Sequence, residues 1–174
     1  MPIEQYLDVV LLLLVSAAAI NDLATRRIPN LLLLAGLSSA FILYCLSVAP
    51  GTSLLSALGG MATGLGLFLP FYIMRGMAAG DVKMMMTIGA FSGPDEALEI
   101  AILSWCIGGV MALAMVLWRG RLWLALRNIK QILYGVLTPG VDAAAVAPQT
   151  SAGAIPYGLA MAIGTIIVLL DHHG

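Results

Sequence analysis

Two aspartates, Asp22 and Asp81, stand at the ends of long apolar runs. Asp22 closes the run from Leu11 to Ile20, and Asp81 opens the run from Val82 to Phe91. Arg26 and Arg27 follow the first, and Arg75 and Lys83 flank the second. Two carboxyls a few ångström apart cannot both ionise easily. One keeps its proton and polarises a carbonyl, while the other takes a proton from an attacking water. Paired carboxylates are the minimum equipment for aspartyl proteolysis, provided the two segments are neighbours. The plainer alternative for each is an interfacial anchor or a helix cap.

Composition decides what must position them. The chain has 174 residues, 61% hydrophobic and only 10% charged, with mean hydropathy +1.01. Soluble domains carry roughly 25% charged residues. A soluble fold of this length cannot hide so much apolar surface, so the solvent is lipid. A net charge of −1 gives no reason to expect nucleic-acid binding. Cys45 and Cys106 sit singly in apolar runs, form no Cys-x-x-Cys pair, and are expected to be buried. No metal and no cofactor is expected. The first eight residues hold Glu4 and Asp8 and no basic residue, the reverse of a cleavable signal.

The pattern predicts an all-α polytopic membrane protein of one domain, residues 1–174, with six transmembrane helices and one amphipathic interfacial helix. The spans fall at about 3–21, 29–48, 54–75, 81–92, 97–118 and 154–171, and the interfacial helix at about 119–134. Pro29 suits a first helical turn. Pro50-Gly51 reads as a turn, and Ser92-Gly93-Pro94 as a stop. Gly60-x-x-x-Gly64 is a small-residue packing pattern. Gly135 to Gly153 reads as a loop.

With six spans, all eight basic residues fall on one side: Arg26, Arg27, Arg75, Lys83, Arg119, Arg121, Arg127 and Lys130. That side is cytoplasmic by the positive-inside rule. Both termini are then outside, and both aspartates lie at the cytoplasmic face. Five spans would put Arg119 to Lys130 outside. Asp81 begins a helix, where the macrodipole favours an anion, and Asp22 ends one, where it does not. On that polarity Asp81 is the base and Asp22 the acid.

Asn21-Asp22-Leu23-Ala24-Thr25-Arg26-Arg27-Ile28-Pro29-Asn30 resembles the first active-site region of the type IV prepilin peptidases. Ala79-Gly80-Asp81-Val82-Lys83-Met84 resembles the second, the Gly-x-Gly-Asp-x-Lys motif of membrane aspartyl proteases. Ile155-Pro156-Tyr157-Gly158 is similar to the family's closing segment. The resemblance implies catalytic Asp22 and Asp81, and an inner-membrane aspartic endopeptidase that removes a basic leader from a prepilin or pseudopilin. Ala78 stands where the motif has its first glycine. That serves if small bulk is needed and impairs the site if positive φ is needed. The paired Cys-x-x-Cys segment of the bifunctional branch is absent. The resemblance is therefore to the short, single-function TadV/CpaA-like branch of Flp pilus systems, with no N-methyltransferase activity expected. Archaeal preflagellin peptidases are similar.

Four residues are expected in substrate-binding or supporting roles. Gly80 allows close backbone approach or simply makes a turn. Lys83 orients Asp81 or a substrate carbonyl, or snorkels to the interface. Asn21 and Asn30 bond a carboxylate or cap a helix end. Arg26 and Arg27 suit lipid phosphate or topology better than catalysis. Met84 to Met86 read as packing, and His172 and His173 as exposed. The rival classes are a small proton-coupled transporter, which favours mid-membrane acids and inverted repeats, and a non-catalytic pilus-assembly subunit.

Overall fold

Leu-, Ala- and Met-rich runs favour helix, and in lipid every amide must be bonded within its own segment. The computed structural model is accordingly all-helical in what it describes, which is residues 3–74, 76–118, 120, 123, 127, 130 and 156–173. The helices are α1 (Ile3–Thr25), α2 (Asn30–Cys45), α3 (Pro50–Ile73), α4 (Ala79–Trp118) and α5 (Tyr157–His173). The chain divides into two compact units, Met1–Gly108 with Pro156–Gly174, and Gly109–Ile155. The first unit holds α1, α2, α3, α5 and α4 up to Gly108. The interfacial helix expected at 119–134 and the loop expected at 135–153 lie almost wholly outside the described residues.

α1, α3 and α4 are long and apolar enough to cross a membrane, while α2 and α5 are shorter apolar helices. Large apolar side chains such as Leu13, Ile20, Leu31, Leu55 and Val110 are exposed on several helices. An apolar outside marks a bundle whose solvent is lipid.

Several boundaries differ from expectation. Pro50 does not make a turn but sits in the first turn of α3, where its missing N–H leaves no bond unmade. Pro29 caps α2 from just outside it. Ser92-Gly93-Pro94, by contrast, interrupts the helix as expected. Gly93, at φ 78° and ψ 179°, is non-helical, so α4 is two helical limbs meeting at a kink. Both cysteines are exposed rather than buried. An apolar thiol is as well placed on a lipid-facing surface as in the core.

The first limb of α4, residues 79–92, is the centre of the bundle. Met84, Met85, Ile88 and Ala90 are fully buried, with Asp81, Val82, Thr87 and Phe91 nearly so. A helix apolar on all sides belongs inside. Met84 and Met85 are thus packing residues, as expected. α3 reaches this limb through Gly60 and Gly64. A Cβ on Gly60 would collide with the main chain of Gly89, and one on Gly64 with that of Met85. The Gly60-x-x-x-Gly64 pattern therefore brings two helix backbones together.

Long-range bonds fix two opposite ends. At one, Asp22 near the end of α1 meets Gly158 at the start of α5, and Lys83 near the start of α4 meets Asn30 at the start of α2. At the other, the Tyr44 hydroxyl of α2 donates to Phe91 O at 2.7 Å. There too His172, near the end of α5, lies 3.3 Å from both Glu96 and Glu99. His172 is exposed as expected but paired, and Asp8 joins this end through its field on Glu96.

Candidate active site

α1 carries Asp22 into its last turn, and the chain then leaves the helix through Arg26 in the left-handed region at φ 56°. The carbonyl of Asp22 accepts the Arg26 N–H at 2.9 Å, and Thr25 Oγ1 lies 2.9 Å from Asn21 O. The Asp22 side chain turns away from solvent and is only 6% exposed. Its Oδ2 accepts the main-chain N–H of Gly158 at 2.9 Å. Gly158 lies in the first turn of α5, whose amides have no acceptor within the helix.

Asp81 lies in the first turn of α4 and is 8% exposed. Its Oδ2 accepts the Ala78 N–H at 3.2 Å, while its own N–H donates to Ala78 O at 3.1 Å. This is half of a capping box, an acid in the first turn reaching back to the residue before the helix. Ala78 is not among the described residues with positive φ, and it meets Asp81 through its main-chain N–H and carbonyl alone. The backbone at 78 therefore does not call for the positive φ that favours glycine.

The two aspartates come from segments 59 residues apart in sequence (81 − 22). They share one end of the bundle and lie within electrostatic range of each other. Tyr157, the first residue of α5, is within the same range of Asp81. Its ring packs against Gly108. Two nearly buried carboxyls in one another's field favour one proton between them. Such a pair can hold a general acid and a general base side by side.

The other expected residues have separate partners. Lys83 does not turn to Asp81. Its Nζ donates to Asn30 Oδ1 at 3.1 Å, tying the start of α4 to the start of α2. Residues two apart on a helix do not share a face. Asn21 Nδ2 donates to Ala17 O at 3.0 Å within α1. A Cβ on Gly80 would meet only Ile28 at 3.6 Å, an ordinary contact, so close approach does not require glycine there. No group of His, Cys, Asp or Glu among the described residues is arranged to hold a metal ion. Tyr157 and Gly158 had no role assigned from sequence beyond the closing segment. Their signal was a Pro-x-Gly step opening the last apolar run.

The all-helical bundle, its apolar exterior and its buried polar end define a membrane-type helical protein. Residues 9–113, more than half of the chain, match the model of the type IV leader peptidase family, and the chain belongs to that family. It is thereby a leader peptidase-type protease acting on a peptide substrate. No curated protein and no solved structure gives a match.

Proposed function

We propose that the chain is an aspartic endopeptidase in which Asp22 and Asp81 form the catalytic pair. In this reading it works as one membrane-embedded domain. The observation that carries the reading is the burial of both carboxyls at one end of the bundle, each within the other's field. One carboxyl polarises the scissile carbonyl, and the other accepts a proton from the attacking water. The roles exchange as the tetrahedral intermediate collapses and the leaving amine takes its proton.

The substrate is a prepilin or pseudopilin, with a basic leader joined to an apolar helix. The six limbs, counting α4 as two, are six membrane crossings. Arg26, Arg27 and Lys83 share the aspartate end, while Asp8, Glu96 and Glu99 share the other. The positive-inside rule then makes the aspartate end cytoplasmic in the inner membrane. Residues 79–92 extend about 21 Å at roughly 1.5 Å per residue. That is shorter than the roughly 30 Å hydrocarbon core. Asp81 is thus recessed below the membrane face, at the depth where a leader meets a membrane helix.

Co-expression with a candidate prepilin of the Flp type tests the reading. Wild type converts the precursor to the shorter pilin, and Asp22→Ala and Asp81→Ala leave it uncleaved. Precursor processed by either variant, or left intact by wild type, rules the reading out.

A further inference from the structure

The polarity of α1 alone makes Asp22 a poor anion. The structure adds a second helix to that account. Among the last carbonyls of α1, that of Asp22 itself accepts the Arg26 N–H, and Thr25 Oγ1 lies 2.9 Å from Asn21 O just before it. Bonded carbonyls present less negative field to a neighbouring carboxylate. The side chain itself points to the start of α5, where unbonded amides favour negative charge.

Gly158 makes that contact possible. A Cβ there would lie 2.9 Å from Asp22 Oδ2, 3.0 Å from its Cβ and 3.2 Å from its Cγ, so any larger residue displaces the carboxyl. Gly158 is buried, whereas the matching donor to Asp81, Ala78, is exposed and its bond is longer, at 3.2 Å. Water can replace an exposed donor and cannot replace a buried one. α5 is also held along its length, by close approach of Gly164 to Ser104 and by His172 at its far end.

We propose that Gly158 is a positioning residue: its amide, at the N-terminus of α5, grips Oδ2 of Asp22 so that Asp22 is the anion of the pair and Asp81 holds the proton. This rests on the catalytic pair proposed above. Oδ1 of Asp22 is then the oxygen that takes the proton from water, and Asp81 is the acid toward the carbonyl. This reverses the order expected from α1 alone. Among the described residues, the other charged and titratable groups at this end are Asp81 and Lys83 on α4, Tyr157 on α5, Tyr72 on α3, and Arg26 and Arg27 after α1. α2 offers only the neutral Asn30.

The test replaces the Gly158 amide by an ester, through glycolic acid incorporated in cell-free synthesis of the full chain. The change deletes one N–H and adds no bulk. A pH profile of prepilin cleavage in detergent is read beside the thermal melt. A hydrogen bond to the carboxylate favours ionisation, so its loss makes ionisation harder. The acidic limb of the profile is expected to move up by about one pH unit, with near wild-type rates above it. A uniform loss at all pH, or an unmoved limb, overturns the proposal. Gly158→Ala gives an independent reading: kcat falls roughly 100-fold with KM unchanged. A wild-type kcat for that variant also overturns it. Asp22→Asn in the same assay separates the two readings. If it still cleaves, the catalytic pair itself is wrong. If it is inactive while the ester leaves the limb in place, only the role of Gly158 is wrong.

Discussion

The amide of Gly158 and Oδ2 of Asp22 lie 2.9 Å apart although 136 residues separate them in the chain. The end of the first helix is therefore completed by the start of the last. The family match ends at residue 113, before α5 begins, yet α5 supplies the only long-range hydrogen bond to Asp22 among the described residues. A site built this way is sensitive to the seating of α5 as well as to the aspartates.

Neutral isosteres test the aspartates without removing their structural bonds. In Asp22→Asn the amide oxygen still accepts from Gly158, and in Asp81→Asn it still accepts from Ala78. Each variant is expected to melt close to the wild-type temperature, because the asparagine keeps the volume of the carboxyl and the oxygen that accepts the main-chain N–H. Cleavage is expected to fall on the order of 10³-fold in either. The double variant should be no worse than the singles, since the groups act as a unit. Gel-shift kinetics with purified prepilin give the ratios, and additive losses would contradict joint action.

The Gly60 and Gly89 contact is expected to govern folding rather than chemistry. A side chain at 60 meets backbone, which cannot swing aside as a flexible side chain can. Gly60→Leu should destabilise by at least about 3 kcal/mol, read as a lower melting temperature in detergent. Gly66→Ala is the matched control. Nothing lies within 4 Å of its Cβ position, so its melt should equal that of wild type.

Much of this was legible in the sequence because lipid allows few solutions. A chain this apolar must be helical, and Asp22 and Asp81 stood out because charges at such ends are costly. Other features were hidden for specific reasons. The break at Ser92-Gly93-Pro94 is legible, but not its form: Gly93 at positive φ turns the chain directly from one limb of α4 into the next, with no loop between them. The rule that buries an apolar cysteine holds for water-soluble folds, whose outsides are polar, and Cys45 and Cys106 are exposed on an apolar outside instead. The partner of Lys83 lies 53 residues away on another helix, which no local spacing encodes. Gly158 carries no side chain, so its part in the site is invisible until the backbone is placed.

The tether between Lys83 and Asn30 should be weak. Both groups are exposed, and such hydrogen bonds compete with water. A double-mutant cycle with Lys83→Met and Asn30→Ala, read by thermal unfolding, should give a coupling of under about 1 kcal/mol. A larger coupling would mean that the α2 and α4 starts depend on this link.

Tyr44 closes the opposite end of the central limb. The kink at Gly93 and the missing N–H of Pro94 interrupt the helical ladder of α4, leaving carbonyls in need of donors. The Tyr44 hydroxyl meets Phe91 O at 2.7 Å in a buried setting, where no water substitutes. Tyr44→Phe removes the donor and keeps the ring, so packing is unchanged and the loss isolates the bond. The expected cost is about 1–2 kcal/mol, seen as a lower melting temperature. The first limb carries Asp81 at its other end, so loosening it at Phe91 also loosens the base of the site. Cleavage should weaken through kcat before any global unfolding is detected. A Tyr44→Phe protein with wild-type stability would show that this carbonyl finds another donor.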